Sequence, residues 1–289
     1  MEPSNSTLGG KICLITGATS GIGLVTAREL ARLGARVVIV GRNQARCDNA
    51  LSQIRAATGN TQVEALLADL SSQQQIRDLA RQFLERSPRL DVLVNNAGGV
   101  WFQRERTVDG LEMTFAVNHL GYFLLTQLLL DALKASAPAR IVNVSSEAHR
   151  RATLDFDDLM GERSYRGWRA YCRSKLANLL FTYELARQLE GSGVTVNALH
   201  PGWVATGFGS RNGWRGSALQ LAARCFAISA EAGARTIIYL ASAPEVAAVN
   251  GRYFIRERAA PSAAASYDQT SAKRLWQVSQ ELTQLSAVA

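Results

Sequence analysis

Short runs of Val, Ile and Leu alternate along the chain with longer stretches in which apolar residues recur every three to four positions. The runs at 11–16, 36–40, 62–67, 91–95, 140–145, 195–199 and 253–255 are nearly continuous, as in strands buried on both faces. The intervening stretches at 23–33, 44–58, 73–86, 108–135, 169–190 and 230–241 predict helices. Such alternation predicts an α/β fold with a parallel sheet covered on both sides. No linker, composition shift or internal repeat divides the chain, so residues 1–289 read as a single domain. The stretch 203–228 follows a strand and is irregular, rich in Gly, Arg and aromatics. Ligands of open α/β sheets bind beyond the carboxyl ends of the strands, so this stretch reads as a substrate lid. The segments expected to be loose are 1–9 and the Ala/Ser-rich run 259–266.

At 289 residues, with 47% hydrophobic and 19% charged positions, the chain has material for a sizeable core and no signature of disorder. Its net charge of +8 is carried mainly by dispersed Arg. Without basic clusters interleaved with aromatics, an anionic small ligand ranks above nucleic acid as a partner. The four cysteines are scattered with no C-x-x-C pair, and the three histidines lack ligand spacing, so no metal site is expected. The thiols read as reduced in a cytoplasmic protein. No secretory signal pattern opens the chain, and no apolar run reaches the ~18 residues of a spanning helix.

The first strand runs into Thr16-Gly17-Ala18-Thr19-Ser20-Gly21-Ile22-Gly23 and then a helix. Glycines there let the backbone turn tightly against a pyrophosphate, while the helix N-terminus presents free N–H groups and a positive dipole end. Gly-x-x-x-Gly-x-Gly at the first strand–helix junction therefore points to a dinucleotide. The second strand ends in Val40-Gly41-Arg42-Asn43. An acidic residue at that point usually meets a free ribose 2′-hydroxyl, whereas Arg accommodates a 2′-phosphate, so Arg42 points to NADP. Asp69, ending the third strand, suits either an adenine amino group or a helix N-cap.

Tyr171-Cys172-Arg173-Ser174-Lys175 sets a phenol and an ammonium at i and i+4 on one helix face. At ~4 Å and an effective dielectric of ~20, their attraction would be roughly 4 kcal/mol. That predicts a Tyr171 pKa lowered by about three units, into the range of a general acid or base.

Asn95-Asn96-Ala97-Gly98, Asn118 and Ser145-Ser146 fall at strand ends or between them. Together with the glycine loop and Tyr171/Lys175, in this order, the chain resembles the short-chain dehydrogenase/reductase family over nearly its whole length. The phrases around Arg140–Ser146, Phe156–Leu159 and Tyr171–Asn178 look most like its retinol-dehydrogenase-like branch. The resemblance implies a Rossmann-type doubly wound sheet of strand order 3-2-1-4-5-6-7. It implies Tyr171 as general acid or base, Lys175 as the cation that tunes it and holds the nicotinamide ribose, and Ser146 as the residue orienting the substrate oxygen. Asn118 would support a water relaying protons to Lys175. Ser145 would satisfy backbone groups, and Asn95 and Asn96 read equally as structural ties between strands. The cofactor wall would comprise Gly17, Thr19, Ser20, Gly21, Ile22, Gly23, Arg42, Asp69, Leu70, Asn96, Ala97, Gly98, Pro201, Gly202, Val204 and Thr206.

The expected activity is NADP-dependent interconversion of a lipophilic carbonyl and its alcohol. The alternative is a non-catalytic NADP-responsive binding protein on the same fold. Trp203, Phe208, Trp214 and Phe226 either line an apolar pocket or pack the lid, and Arg211, Arg215 and Arg224 are lid surface or favour an acidic substrate. Family members acting on retinoids commonly carry an N-terminal anchor. About ten residues precede the first strand here, so stable membrane insertion is not expected. A homodimer or homotetramer through the helices at 108–135 and 169–190 is implied by resemblance alone.

Overall fold

The computed structural model describes residues 7–203 and 228–285. Eight strands form one sheet in the order β3-β2-β1-β4-β5-β6-β7-β8. They are β1 (Ile12–Thr16), β2 (Arg36–Gly41), β3 (Val63–Leu67), β4 (Val92–Asn95), β5 (Ala139–Val144), β6 (Val194–His200), β7 (Tyr253–Ile255) and β8 (Arg258–Ala259). The first seven are parallel, in the expected order, and β8 is an antiparallel edge added to β7.

Side chains alternate across a strand, so each strand feeds two cores. Leu14, Val38 and Val40 point to the face covered by α3 (Gln73–Arg86), α5 (Gly121–Leu128), α6 (Leu130–Ala135) and α7 (Gly167–Gln188). Cys13, Ile15, Val37 and Ile39 point to the face covered by α1 (Gly21–Arg32), α2 (Gln44–Thr58) and α8 (Ala230–Ser242). Burial on both faces accounts for the continuous apolar runs.

The expected helix at 108–135 is not continuous. Residues 106–112 form a turn, with Gly110 at φ 78° and an isolated antiparallel bridge between Arg106 and Glu112. The fully buried Glu112 carboxylate then caps α4 (Met113–Phe115), accepting from the N–H groups of Thr114 at 2.7 Å and Phe115 at 2.8 Å. A π-helical turn, Ala116–Leu120, leads into α5, and the backbone breaks again at Leu129.

Two features lie beyond the last predicted strand. The run 259–266, expected to be loose, is pinned down: Ser262 and Ser266 are buried, and Ser262 Oγ lies 2.7 Å from the Tyr183 hydroxyl. Small residues are what allow the backbone to pack this closely, so the composition was misread as slack. A C-terminal helix, α9 (Gln269–Leu282), follows, capped by Asp268, which accepts from Thr270 N and Ser271 N. It packs on α7 through Trp276, which meets Phe123 edge-on at 5.0 Å and stacks on Phe181 at 5.9 Å.

Because Trp276 knits α9 to α5 and α7, Trp276→Ala is expected to destabilise the protein by about 2 kcal/mol or more. Urea unfolding at neutral pH measures this, as a fall in midpoint at unchanged slope.

Candidate active site

At the carboxyl edge of the sheet, between β1 and β4, lies a cavity of about 640 Å³, within the ~300–1,000 Å³ range of small-molecule sites. One end is the loop from Gly17 to Gly23, flanked by Arg42 after β2 and Asp69–Leu70 after β3. The Asn96–Gly98 backbone forms the middle, and Tyr171, Lys175 and Pro201 stand at the far end.

Close packing around the loop accounts for its glycines. Gly17 and Gly21 adopt φ of 67° and 55°. A Cβ on Gly23 would lie 2.4 Å from Gly17 O and 2.6 Å from Asn96 Nδ2. Asn96 ties the loop to β4, its Nδ2 donating to Thr16 O at 2.8 Å while its N–H donates to Thr16 Oγ1 at 2.9 Å. Ser20 occupies the N-cap of α1 without a side-chain capping bond, which leaves the first-turn N–H groups available to an anion. A cradle this close to backbone fits a pyrophosphate. Asp69 does not cap α3, since Ser72 does; its Oδ1 accepts from Ser71 N and Oγ at 2.9 and 2.8 Å, and its Oδ2 faces Arg42 at 3.9 Å.

Asn95 stands apart from the cavity, donating to Thr126 Oγ1 at 3.0 Å and Asn143 Oδ1 at 2.9 Å between β4 and β5. Asn118 is fully buried on the π-helical turn. Its Nδ2 donates to Gly99 O at 2.9 Å and Ser174 Oγ at 3.0 Å, and its Oδ1 accepts from Gly99 N at 2.8 Å. Both amide protons are thus spent on protein groups. A Cβ on Gly98 would sit 3.0 Å from Asn118 Oδ1 and 3.6 Å from Lys175 Nζ, so the Gly98 backbone, Asn118 and Lys175 converge.

The two serines separate. Ser145 Oγ is buried and donates to Lys175 O at 2.8 Å, locking α7 to the end of β5. Ser146 Oγ accepts from Ala148 N at 3.2 Å and shares a hydrogen bond with the Tyr171 phenol.

The electrostatics of the Tyr171–Lys175 pair run against expectation. Lys175 Nζ donates to Val144 O at 3.0 Å and lies 5.7 Å from the Tyr171 ring centroid. Burial dominates both groups. It pushes the Tyr171 phenol up to about 12, with the Ser146 hydrogen bond opposing only part of the rise. It pushes the Lys175 ammonium down to about 7. The expected lowering of Tyr171 neglected desolvation, which disfavours the charged form of each.

The cavity wall also contains Asn43 and Arg46, which the sequence reading did not single out. Asn43 Oδ1 caps α2 by accepting from Arg46 N at 3.0 Å; Asn followed by a helical pattern was the available signal. Gly202 lies outside the wall, at the point where the chain leaves for residue 203. It has φ 93°, and a Cβ there would meet Ile228 Cδ1 at 2.4 Å. Ile228 N donates to Trp203 O at 2.8 Å. Val204, Thr206 and the rest of the expected lid, including Phe208, Trp214 and Phe226, lie outside the described residues. Among the described residues no group of His, Cys, Asp or Glu could hold a metal ion, and no helix is long and apolar enough to cross a membrane.

The profile of the short chain dehydrogenase family matches residues 11–213. The chain belongs to the short-chain dehydrogenase family. It is 46% identical over 291 residues to human retinol dehydrogenase 13, covering 99% of this chain and 88% of that protein. It is 45% identical to human retinol dehydrogenase 14, covering 96% and 87%. A solved Mycobacterium paratuberculosis protein superposes with a TM-score of 0.78 at 34% identity, covering 96% of this chain and 94% of that one. The Pseudomonas aeruginosa RhlG/NADP complex does so with a TM-score of 0.70 at 30% identity, covering 87% and 96%. This short-chain dehydrogenase is therefore an oxidoreductase of the retinol-dehydrogenase-like branch.

The shifted Lys175 has a consequence for stability. Its folded pKa lies below the unfolded value of ~10.4, so between about 7 and ~10.4 the unfolded chain binds more protons. The penalty is absent above the unfolded value, grows as pH falls through this window, and is full below the folded pKa. Stability should therefore rise with pH across the window, by up to about 1.4 kcal/mol per pH unit. Lys175→Met should flatten that slope in urea titrations at pH 7 to 10.

Proposed function

We propose that this protein is an NADP(H)-dependent oxidoreductase that interconverts a lipophilic aldehyde or ketone and its alcohol. The observation that carries the reading is the convergence of Lys175 and of Tyr171, its phenol hydrogen-bonded to Ser146, at one end of the cavity whose other end is the glycine loop. Preference for the phosphorylated dinucleotide is supported by Arg42, 45% exposed at the end of β2, and by Arg46 on the first turn of α2. Two guanidiniums at the same mouth suit a 2′-phosphate, with multiple charge-assisted hydrogen bonds. The NADP complex of the Pseudomonas protein and the NADPH complex of an Escherichia coli CFT073 short-chain dehydrogenase support the same choice. Lipophilic substrates are supported by the relatives named retinol dehydrogenases.

Bound NADP(H) supplies or accepts the hydride at the substrate carbon. In the reducing direction, Ser146 Oγ and the Tyr171 hydroxyl orient the carbonyl oxygen, and Tyr171 O–H gives that oxygen its proton. The raised phenol pKa keeps this proton in place at physiological pH, which favours Tyr171 as donor. Lys175, near 7, exchanges its own proton close to neutrality; as ammonium it stabilises the phenolate left behind. Asn118 acts through Gly99 and Ser174, and through them steadies the Tyr171–Lys175 turn.

NADPH oxidation should be followed by absorbance with decanal, all-trans-retinal and smaller carbonyls. Tyr171→Phe should lower kcat by about 100-fold or more and leave the NADPH Kd within about threefold. Tight NADPH binding with no turnover of any carbonyl by the wild type would favour a non-catalytic binding protein. Arg42→Ala and Arg46→Ala should each weaken NADPH binding about tenfold, a loss of roughly 1.4 kcal/mol, and leave NADH binding unchanged. Equal wild-type affinity for NADH and NADPH would contradict the cofactor choice.

A further inference from the structure

Directly behind the Ser146 turn lies a histidine that the reaction does not use. The chain after β5 forms a 3-10 turn, Glu147–Arg151, with Ser146 as its N-cap. His149 on this turn is fully buried, its ring edge-on to Tyr253 at 5.1 Å. Both ring nitrogens are engaged, and their partners dictate the proton's position. Nδ1 lies 2.6 Å from Ser146 O, a carbonyl that can only accept, so Nδ1 carries the hydrogen. Nε2 lies 3.0 Å from Ala263 N, a backbone N–H that can only donate, so Nε2 is bare. One neutral tautomer satisfies both bonds, and an imidazolium would turn Nε2 towards Ala263 as a second donor.

Ala263 is itself held. Ser266 Oγ donates to Ala263 O at 2.6 Å, Ser262 Oγ meets Ser266 Oγ at 2.6 Å, and Ser262 Oγ reaches the Tyr183 hydroxyl on α7 at 2.7 Å. The segment 260–266 is therefore fastened to the helix that carries Tyr171 and Lys175. His149 connects it to the residue facing Tyr171 from the other side. Ser146 O also accepts from His149 N at 3.1 Å, so one peptide carbonyl is gripped twice by one residue.

We propose that His149, as the Nδ1-protonated neutral tautomer, is a positioning residue for Ser146, bracing the serine's carbonyl against the segment around Ala263. The proposal rests on the reading of Ser146 as the residue that orients the substrate oxygen. It does not make His149 a proton carrier, since neither nitrogen reaches the cavity. Burial holds the imidazole below its usual range, against the pull of the Ser146 carbonyl, which agrees with the neutral form the hydrogen bonds require. Displacement of an orienting group by about 1 Å can cost around 100-fold in rate, so a brace of this kind is read in kcat rather than in cofactor binding.

Two arms test it, using the full chain. In the first, His149→Asn keeps a donor near the Nδ1 position, whereas His149→Leu keeps only bulk. With NADPH and decanal, His149→Leu should lower kcat about tenfold or more with the NADPH Kd within about twofold. His149→Asn should recover to within about threefold of wild type. Equal impairment of the two variants, or NADPH affinity falling in step with kcat, would overturn the positioning role and leave only packing. The second arm needs no variant to fold: 15N NMR of the wild-type histidines, three in all, should show one with Nδ1 protonated and Nε2 bare at pH 7. A His149 protonated on Nε2 would overturn the proposal directly. If the wild type reduces neither decanal nor any other carbonyl, the functional reading fails by itself, and the tautomer still decides the hydrogen bonds.

Discussion

Exclusion of water from the end of β5 is the constraint on which the rest of this structure depends. Tyr171 and Lys175 are both buried, and an ammonium in such a place must find acceptors. The parallel sheet provides one, because the carbonyl of Val144 at the end of β5 receives Lys175 Nζ at 3.0 Å. The same junction fixes the helix, as Ser145 Oγ donates to Lys175 O and Ser174 Oγ donates to Tyr171 O, each at 2.8 Å. Asn118 then joins Ser174 to the Gly99 backbone, and Asn96 joins the next strand end to the glycine loop. Adjacent strand ends thus present anion-binding backbone and desolvated acid–base groups to a single cavity. The partial loss of solvation that raises Tyr171 and lowers Lys175 is a direct product of that packing.

What was legible in the sequence was local. The placement of the Gly17–Gly23 loop, Arg42 and the Tyr171/Lys175 pair around one cavity could be read because each motif depends on neighbours within a few residues, whereas the strand order came from the family resemblance. What escaped depends on distant partners. The sign of the Tyr171 shift reflects burial by segments far away in sequence, and a pairwise attraction between i and i+4 cannot report it. The turn before Met113 was hidden because 108–135 keeps helical periodicity, while Gly110 and the buried Glu112 cap decide the start. The run 259–266 resembled slack by composition, yet its small side chains are what let Ser262 and Ser266 reach Tyr183 and each other. Arg46 carries no local signal; only the packing of α2 beside the end of β2 brings it to the cavity wall.

The arrangement also divides labour between the two ends of the cavity. On the proposed reading, the dinucleotide is recognised at the glycine loop by backbone N–H groups and by the Arg42 and Arg46 guanidiniums. On the same reading, the other end relies on Tyr171 and Lys175, whose protonation burial shifts in opposite directions, with Ser146 braced from behind by the 3-10 turn. That reading makes dinucleotide affinity at the glycine loop separable by mutation from proton transfer at Tyr171, with Lys175 placed to serve both ends.

Titration of the Lys175 side chain itself tests the central claim most directly. The chain has only four lysines, so 13Cε resonances of selectively labelled protein can be assigned with Lys175→Met as the reference. A midpoint near 7 for Lys175, well separated from the other three, is the result predicted by burial at the end of β5. A midpoint near the ordinary lysine value of ~10.4 would mean that water reaches the ammonium, and would contradict the account.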